Sequence, residues 1–345
     1  SHPYIIQAAY LPKSHGLPGA KAGVDIPAAN VGLRYHGSRL RMTMPRILSG
    51  WTGVEPGGDY MQTGEQWSGF RYAMCNESMQ SIPFERQCRI IAAAGYRGIE
   101  IAPFTLVHSG VGEIDAAGRK QLLRTIRDSG LLCCGLHWLF AAPPAGLHFT
   151  TPDASVRHKS VDYLLQLIDF CADLEGEVLV FGSPKQRSTK GITVEEAKDY
   201  FADGLSRVAD HAGRRGVRVL VEHLDRTQSD VINTLAEARQ LIDAVNHPAV
   251  QMMFDFHNTA DETEPLEALM RQFFDVICHV HVQEMDGRHL GTGGSRSAFA
   301  GAFQVLKDLA YGGWISLEVF DFTPEGQTIA TESMRVLQEI ESQLM

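Results

Sequence analysis

Four apolar runs in the C-terminal half of the chain each lead into a residue that can ligate a metal ion. VRVLVE reaches Glu222, VQMMFD reaches Asp255, VICHVH reaches His281 and WISLE reaches Glu318. Three carboxylates brought together are costly unless they are paired or metal-bound, because each buried charge loses its hydration. Three oxygen donors and one imidazole nitrogen therefore point to one divalent cation. Mn²⁺ is preferred for such a mixed set, and Mg²⁺, Co²⁺ and Zn²⁺ are compatible with it. Taken singly, a strand-end carboxylate is more often a loop cap or ion-pair partner, and His281 a hydrogen-bonded core histidine. It is the recurrence of a ligand-capable residue at the same place on four consecutive strands that favours the metal site.

These four residues are spread over 97 positions, so a particular architecture has to bring them together. From Phe70 onward, short apolar runs alternate with longer amphipathic stretches, the pattern of βαβ units. Candidate strands cover 71–76, 97–102, 131–137, 177–182, 217–222, 250–255, 276–281 and 314–318. Helical periodicity runs from Phe84 to Ala94, Gly118 to Asp128, Ser155 to Asp173 and Thr193 to Arg214. It recurs from Val231 to Val245, Pro265 to Phe274, Phe299 to Leu309 and Glu325 to Leu344. Gly95, Gly130, Gly216 and Gly312 stand where left-handed C-terminal caps are needed. Eight strand–helix pairs in this length predict a single (β/α)8 TIM barrel, in which the C-terminal strand ends ring one mouth. A doubly wound open sheet is the rival, but no GxGxxG follows the first strand.

Residues 1–69 differ from the rest. They hold 11 Gly and 6 Pro, carry six Lys/Arg against four Asp/Glu, and show no sustained helical period. They read as an N-terminal extension to a catalytic barrel at 70–345, either disordered or lying across the acidic body or a neighbouring subunit.

With 31 basic and 41 acidic residues the net charge is -10, the wrong sign for a protein that lives on a phosphate backbone. The most apolar stretch, Leu131 to Ala142, contains His137 and runs into Pro143 and Pro144, well short of the ~20 residues a membrane span needs. The six cysteines lack zinc-ribbon spacing and lie in or beside apolar runs, so buried free thiols are expected. No basic segment precedes an apolar stretch of signal-peptide length near the N-terminus, so the expected location is cytoplasmic.

The segments EHLDRTQSDVINTLAEA (222–238), MMFDFHNT (252–259), HVHVQEMDGRHLGTG (279–293) and WISLEVF (314–320) resemble the xylose-isomerase-like sugar epimerase/isomerase superfamily. The D-tagatose 3-epimerase and hydroxypyruvate isomerase groups are the nearest in pattern, and the resemblance extends to FERQCRIIAAAGYRGIEIAPF (84–104) and GSPKQR (182–187). It implies that Glu222, Asp255, His281 and Glu318 hold one catalytic divalent metal, with Glu222 and Glu318 also acting as the acid/base pair. It further implies that His257 and Arg288 bind substrate oxygens.

Two departures stand out. Asp255 and His257 are two residues apart where the epimerases have three, and EHLDRTQ carries His223 and Gln228 where they have Pro and Glu. His137 reads equally as a substrate-hydroxyl partner or a core histidine. Phe104, Trp138 and Phe140 read as a sugar wall or, more often, as barrel packing, and Lys185 and Arg187 as anion ligands or, more often, a solvated loop.

The expected activity is metal-dependent isomerisation or epimerisation of a ketose or related hydroxy-carbonyl compound by proton transfer through an enediolate. Dehydration of an oxidised inositol and endonuclease-IV-like phosphodiester cleavage are the alternatives. The expected partners are a small-molecule sugar and further copies of the chain in a dimer or tetramer, with no nucleic acid and no membrane.

Overall fold

The computed structural model describes residues 69–345. The expected extension, residues 1–69, lies outside the described residues but for its last position. Eight parallel strands close into a barrel in chain order. They are β1 (Arg71–Cys75), β2 (Gly98–Ile101), β3 (Leu132–Leu136), β4 (Val178–Phe181), β5 (Arg218–Val221), β6 (Val250–Asp255), β7 (Ile277–Val282) and β8 (Trp314–Leu317). Pairing of β1 with β8, from Arg71 opposite Trp314 to Met74 opposite Leu317, seals the cylinder and excludes the open sheet.

Each strand is followed by a helix: α1 (Phe84–Ala93), α2 (Ala116–Asp128), α3 (Ala154–Asp173), α4 (Val194–Arg215), α5 (Leu235–Val245), α6 (Leu266–Phe273), α7 (Ser295–Asp308) and α8 (Gly326–Ser342). Side-chain caps set where several of them begin. In α4 the Thr193 side chain accepts from the Glu196 N–H, and the Glu196 carboxylate accepts from the Thr193 N–H, so two orphan donors are satisfied at once. Helix α5 starts at Leu235 and not at Val231, because Thr234 supplies the cap. Helix α7 starts four residues ahead of the expected Phe299. The Glu284 carboxylate accepts from the Ser295 N–H at 3.1 Å and the Ser295 hydroxyl at 2.7 Å, a negative charge at the positive end of the helix.

Three of the four glycines expected to close helices are left-handed: Gly95, Gly130 and Gly216, with φ of 102°, 80° and 72°. Gly312 is not; after α7 the left-handed residue is Ala310, φ 52°. The chain already turns there, at Ala310, so Gly312 needs no special conformation.

Side chains alternate across each strand. One set joins the main apolar cluster, to which the helices also contribute. The other set forms small separate clusters, Val178, Val180, Leu220 and Met253 in one and Ala73, Cys134 and Trp314 in another. Gly98 leaves room for the Trp314 ring, since a Cβ there would lie 2.7 Å from a ring carbon. Two residues further along β2 the lining turns polar, at the fully buried Glu100, which meets the equally buried His279 and His281 of β7. All six cysteines are free and five are buried. No helix among the described residues is long and apolar enough to cross a membrane.

Candidate active site

Register and strand length bring the four strand-end residues together. Asp255 stands opposite His281 in the β6–β7 pairing, while Glu222 and Glu318 each follow the last residue of their strands, β5 and β8. One potential ligand atom from each of the four lies within 4.8 Å of all the others. Asp255 and His281 are fully buried, and Glu318 and Glu222 are nearly so. His281 Nδ1 lies 3.0 Å from Glu318 Oε2.

Neighbouring groups hold the carboxylates in place. The Asn258 amide donates to Glu222 Oε1 and to Asp255 Oδ2, both at 2.9 Å, and its own oxygen accepts from Gln228 at 2.6 Å. The His257 backbone N–H donates to Asp255 Oδ1 at 2.8 Å. Gly182, just past β4, leaves the space for Glu222: a Cβ there would lie 2.1 Å from Glu222 Oε2. Arg187 is fully buried and donates to the carbonyls of Phe181 (3.1 Å), Glu222 (2.5 Å) and Ile232 (3.2 Å). It is therefore neither part of a solvated loop nor aimed at an anion. It clamps the backbone from which Glu222 projects.

The electrostatics of the cluster follow from its density. Burial, then the charges of Glu318 and Asp255, push the Glu222 carboxyl well above the ordinary carboxylate range. Burial and Glu318 raise Asp255 in the same way. Burial would also raise Glu318, but His281, His137 and the Trp138 hydrogen bond outweigh it and hold that carboxyl low. The group thus concentrates more negative charge than its single imidazole balances. Its donor types suit a hard or borderline divalent cation, and their mutual reach suits one ion.

Aromatic side chains flank one side of the cluster. Trp138 Nε1 donates to Glu318 Oε1 at 2.6 Å. Its ring is 5.6 Å from that of Phe104 and 6.5 Å from that of Phe320, which is 5.0 Å from the His257 ring. Phe140, by contrast, packs in the core against Phe149 and Phe181.

Of the remaining expected substrate residues, His137 is fully buried, with Nε2 at 2.8 Å from Glu77 Oε2 and Nδ1 at 3.9 Å from Glu100 Oε1. His257 is half-buried beside Phe320. Arg288 is 43% exposed and pairs with Asp286 at 2.7 Å. Sequence reasoning missed Glu77, Glu100, Asn258 and Gly182. Only Glu100 carried a signal, as a charged residue inside the apolar run RGIEIA.

A sequence profile of the xylose isomerase-like TIM barrel family matches residues 88–340. The probable ketose 3-epimerase of Synechocystis sp. is 30% identical over 240 residues, 66% of this chain and 75% of that protein. The D-psicose 3-epimerase of Agrobacterium fabrum is 26% identical over 250 residues, 70% and 80% of the respective chains. The crystal structure of 3-keto-D-glucoside 4-epimerase from E. coli shares the fold with a TM-score of 0.67 at 20% identity, covering 79% of this chain and 100% of that one.

Proposed function

The chain belongs to the xylose isomerase-like TIM barrel family, and from that premise we propose that it is a metal-dependent epimerase or isomerase of a ketose or a related hydroxy-carbonyl sugar. The observation that carries this reading is the meeting of Glu222, Asp255, His281 and Glu318 within 4.8 Å of one another. These residues would hold the ion, with Mn²⁺ preferred. A bound divalent cation supplies Lewis-acid polarisation of the substrate carbonyl, which acidifies the neighbouring C–H.

The proton transfers fall to the two glutamates. One carboxylate takes the proton from the carbon beside the carbonyl and the other returns one, through an enediolate. Return to the opposite face of the same carbon inverts it, and return to the neighbouring carbon isomerises the sugar. Asn258 restrains Glu222, and Trp138 restrains Glu318, so both carboxylates keep their orientation while protons move. The rings of Phe104, Trp138 and Phe320 offer an apolar face to sugar C–H groups. His257 and Arg288 are assigned the substrate oxygens. Relatives named as ketose, D-psicose and L-ribulose 3-epimerases favour inversion at the carbon next to the carbonyl.

The test is turnover of a ketose panel by the Mn²⁺-loaded protein in deuterated water. Solvent deuterium is expected on the carbon beside the carbonyl. Glu222→Gln and Glu318→Gln should each lower turnover by about 10²–10⁴-fold, the usual contribution of a positioned acid or base, while Mn²⁺ is retained. Turnover with no solvent exchange would replace the proton-transfer reading by a hydride shift, and loss of water from the product would identify a dehydratase.

A further inference from the structure

Beneath the four-residue cluster lies a carboxylate that has no evident packing role. Glu100 projects from β2 and is fully buried. Both of its oxygens are 3.2 Å from His281 Nε2. Its Oε2 is also 2.9 Å from His279 Nε2 and lies near the thiols of Cys75 (3.7 Å) and Cys134 (3.9 Å). Interior layers of such barrels are ordinarily filled by branched apolar side chains. A carboxylate there is tolerated only with donors around it, and the two imidazoles supply them.

We infer that Glu100 is a positioning residue: it accepts the Nε2–H of His281 and thereby presents Nδ1 to the three carboxylates. The inference rests on the metal-binding reading of that cluster. An ionised carboxylate only accepts hydrogen bonds, so the imidazole nitrogen that faces it carries the proton. With Nε2–H directed at Glu100, Nδ1 is left as the ligand atom, and it is the nitrogen 3.0 Å from Glu318 Oε2. The same contact fixes the ring plane. A glutamine at position 100 would keep the volume but turn an amide N–H₂ toward one of two donors, His279 or His281.

The experiment compares the Mn²⁺ dissociation constants of the full-length wild type, Glu100→Gln and Cys75→Ala, read from the EPR signal of free Mn²⁺. Cys75 touches Glu100 but is not one of the four cluster residues, so Cys75→Ala controls for disturbance of the layer. Glu100→Gln is expected to bind Mn²⁺ about 10–100-fold more weakly, as loss of such outer partners does elsewhere, and Cys75→Ala to bind like the wild type. A second measurement needs no variant. In the Mg²⁺-loaded wild type with ¹⁵N-labelled histidine rings, NMR should find a slowly exchanging proton on His281 Nε2. Equal affinity in Glu100→Gln and a tightly binding wild type would overturn the inference, and so would an unprotonated Nε2. Failure of the wild type to bind Mn²⁺ would be a different result: the metal reading itself would fall, and Glu100's role with it.

Discussion

The indole of Trp138 donates to one oxygen of Glu318 at 2.6 Å, while the other oxygen of that carboxylate lies 3.0 Å from His281 Nδ1. Trp138 reaches this position from a left-handed backbone, φ 51°, which costs a bulky residue on the order of 1–3 kcal/mol. Trp138→Phe keeps a ring against Phe104 and Phe320 but removes the donor. We expect kcat to fall by about 10–100-fold, equivalent to a charge-assisted hydrogen bond of ~1.5–3 kcal/mol, with the bound ion retained. Steady-state kinetics and metal analysis of the variant check this.

Asp255 and His281 stand opposite each other across β6 and β7 and are the two fully buried members of the cluster. Asp255→Ala and His281→Ala are each predicted to lose both metal and activity and to keep the far-ultraviolet circular dichroism of the barrel, since the mouth contributes little to the packed layers. Stoichiometric metal in the double variant, measured by elemental analysis after dialysis, would remove these residues from the site.

Arg187 offers a test of how the position of Glu222 is maintained. Its guanidinium satisfies three buried carbonyls, and burial lowers its pKa to about 10. Arg187→Met removes the side-chain donor from all three carbonyls, of which Phe181 and Ile232 keep a backbone N–H from Glu222 and Leu224, and should destabilise the fold by about 2–5 kcal/mol in urea titrations. Arg187→Lys should recover only part of this, because an ammonium lacks the planar fork that reaches several acceptors at once.

A pH effect is expected from a histidine outside the cluster. Burial, then the charge of Lys190, lowers the pKa of His148 from 6.5 to about 4. Above pH 6.5 the ring is neutral in both folded and unfolded chains, so it contributes no pH dependence. Between pH 6.5 and about 4 the unfolded chain takes up a proton that the folded one refuses, and stability falls as pH falls. His148→Asn should flatten the melting temperature across this window relative to the wild type, as thermal denaturation at a series of pH values will show.

The alternation of apolar runs and amphipathic stretches by itself determined eight strand–helix units, because strand and helix periods are local properties of the chain; their closure into a barrel rests on the pairing of β1 with β8. The four cluster residues were legible for a related reason. They occur where strands end, and in a closed parallel barrel all those ends face one mouth. Helix starts were less legible where the cap lies far away in sequence, as at α7, whose N-terminus is held by Glu284 eleven residues before Ser295.

The surroundings of the cluster were decided only by the tertiary structure. Asn258 bridges Glu222 and Asp255, Glu100 meets His281 across the barrel interior, and Gly182 clears the space for Glu222. Arg187, read from sequence as a basic loop residue, is a buried clamp. Each of these roles depends on which side chains the closed barrel and its loops bring together. Such contacts join residues up to 181 positions apart, so no local pattern encodes them: a glutamate inside a strand becomes a histidine's partner only once β2 and β7 face each other across a closed barrel.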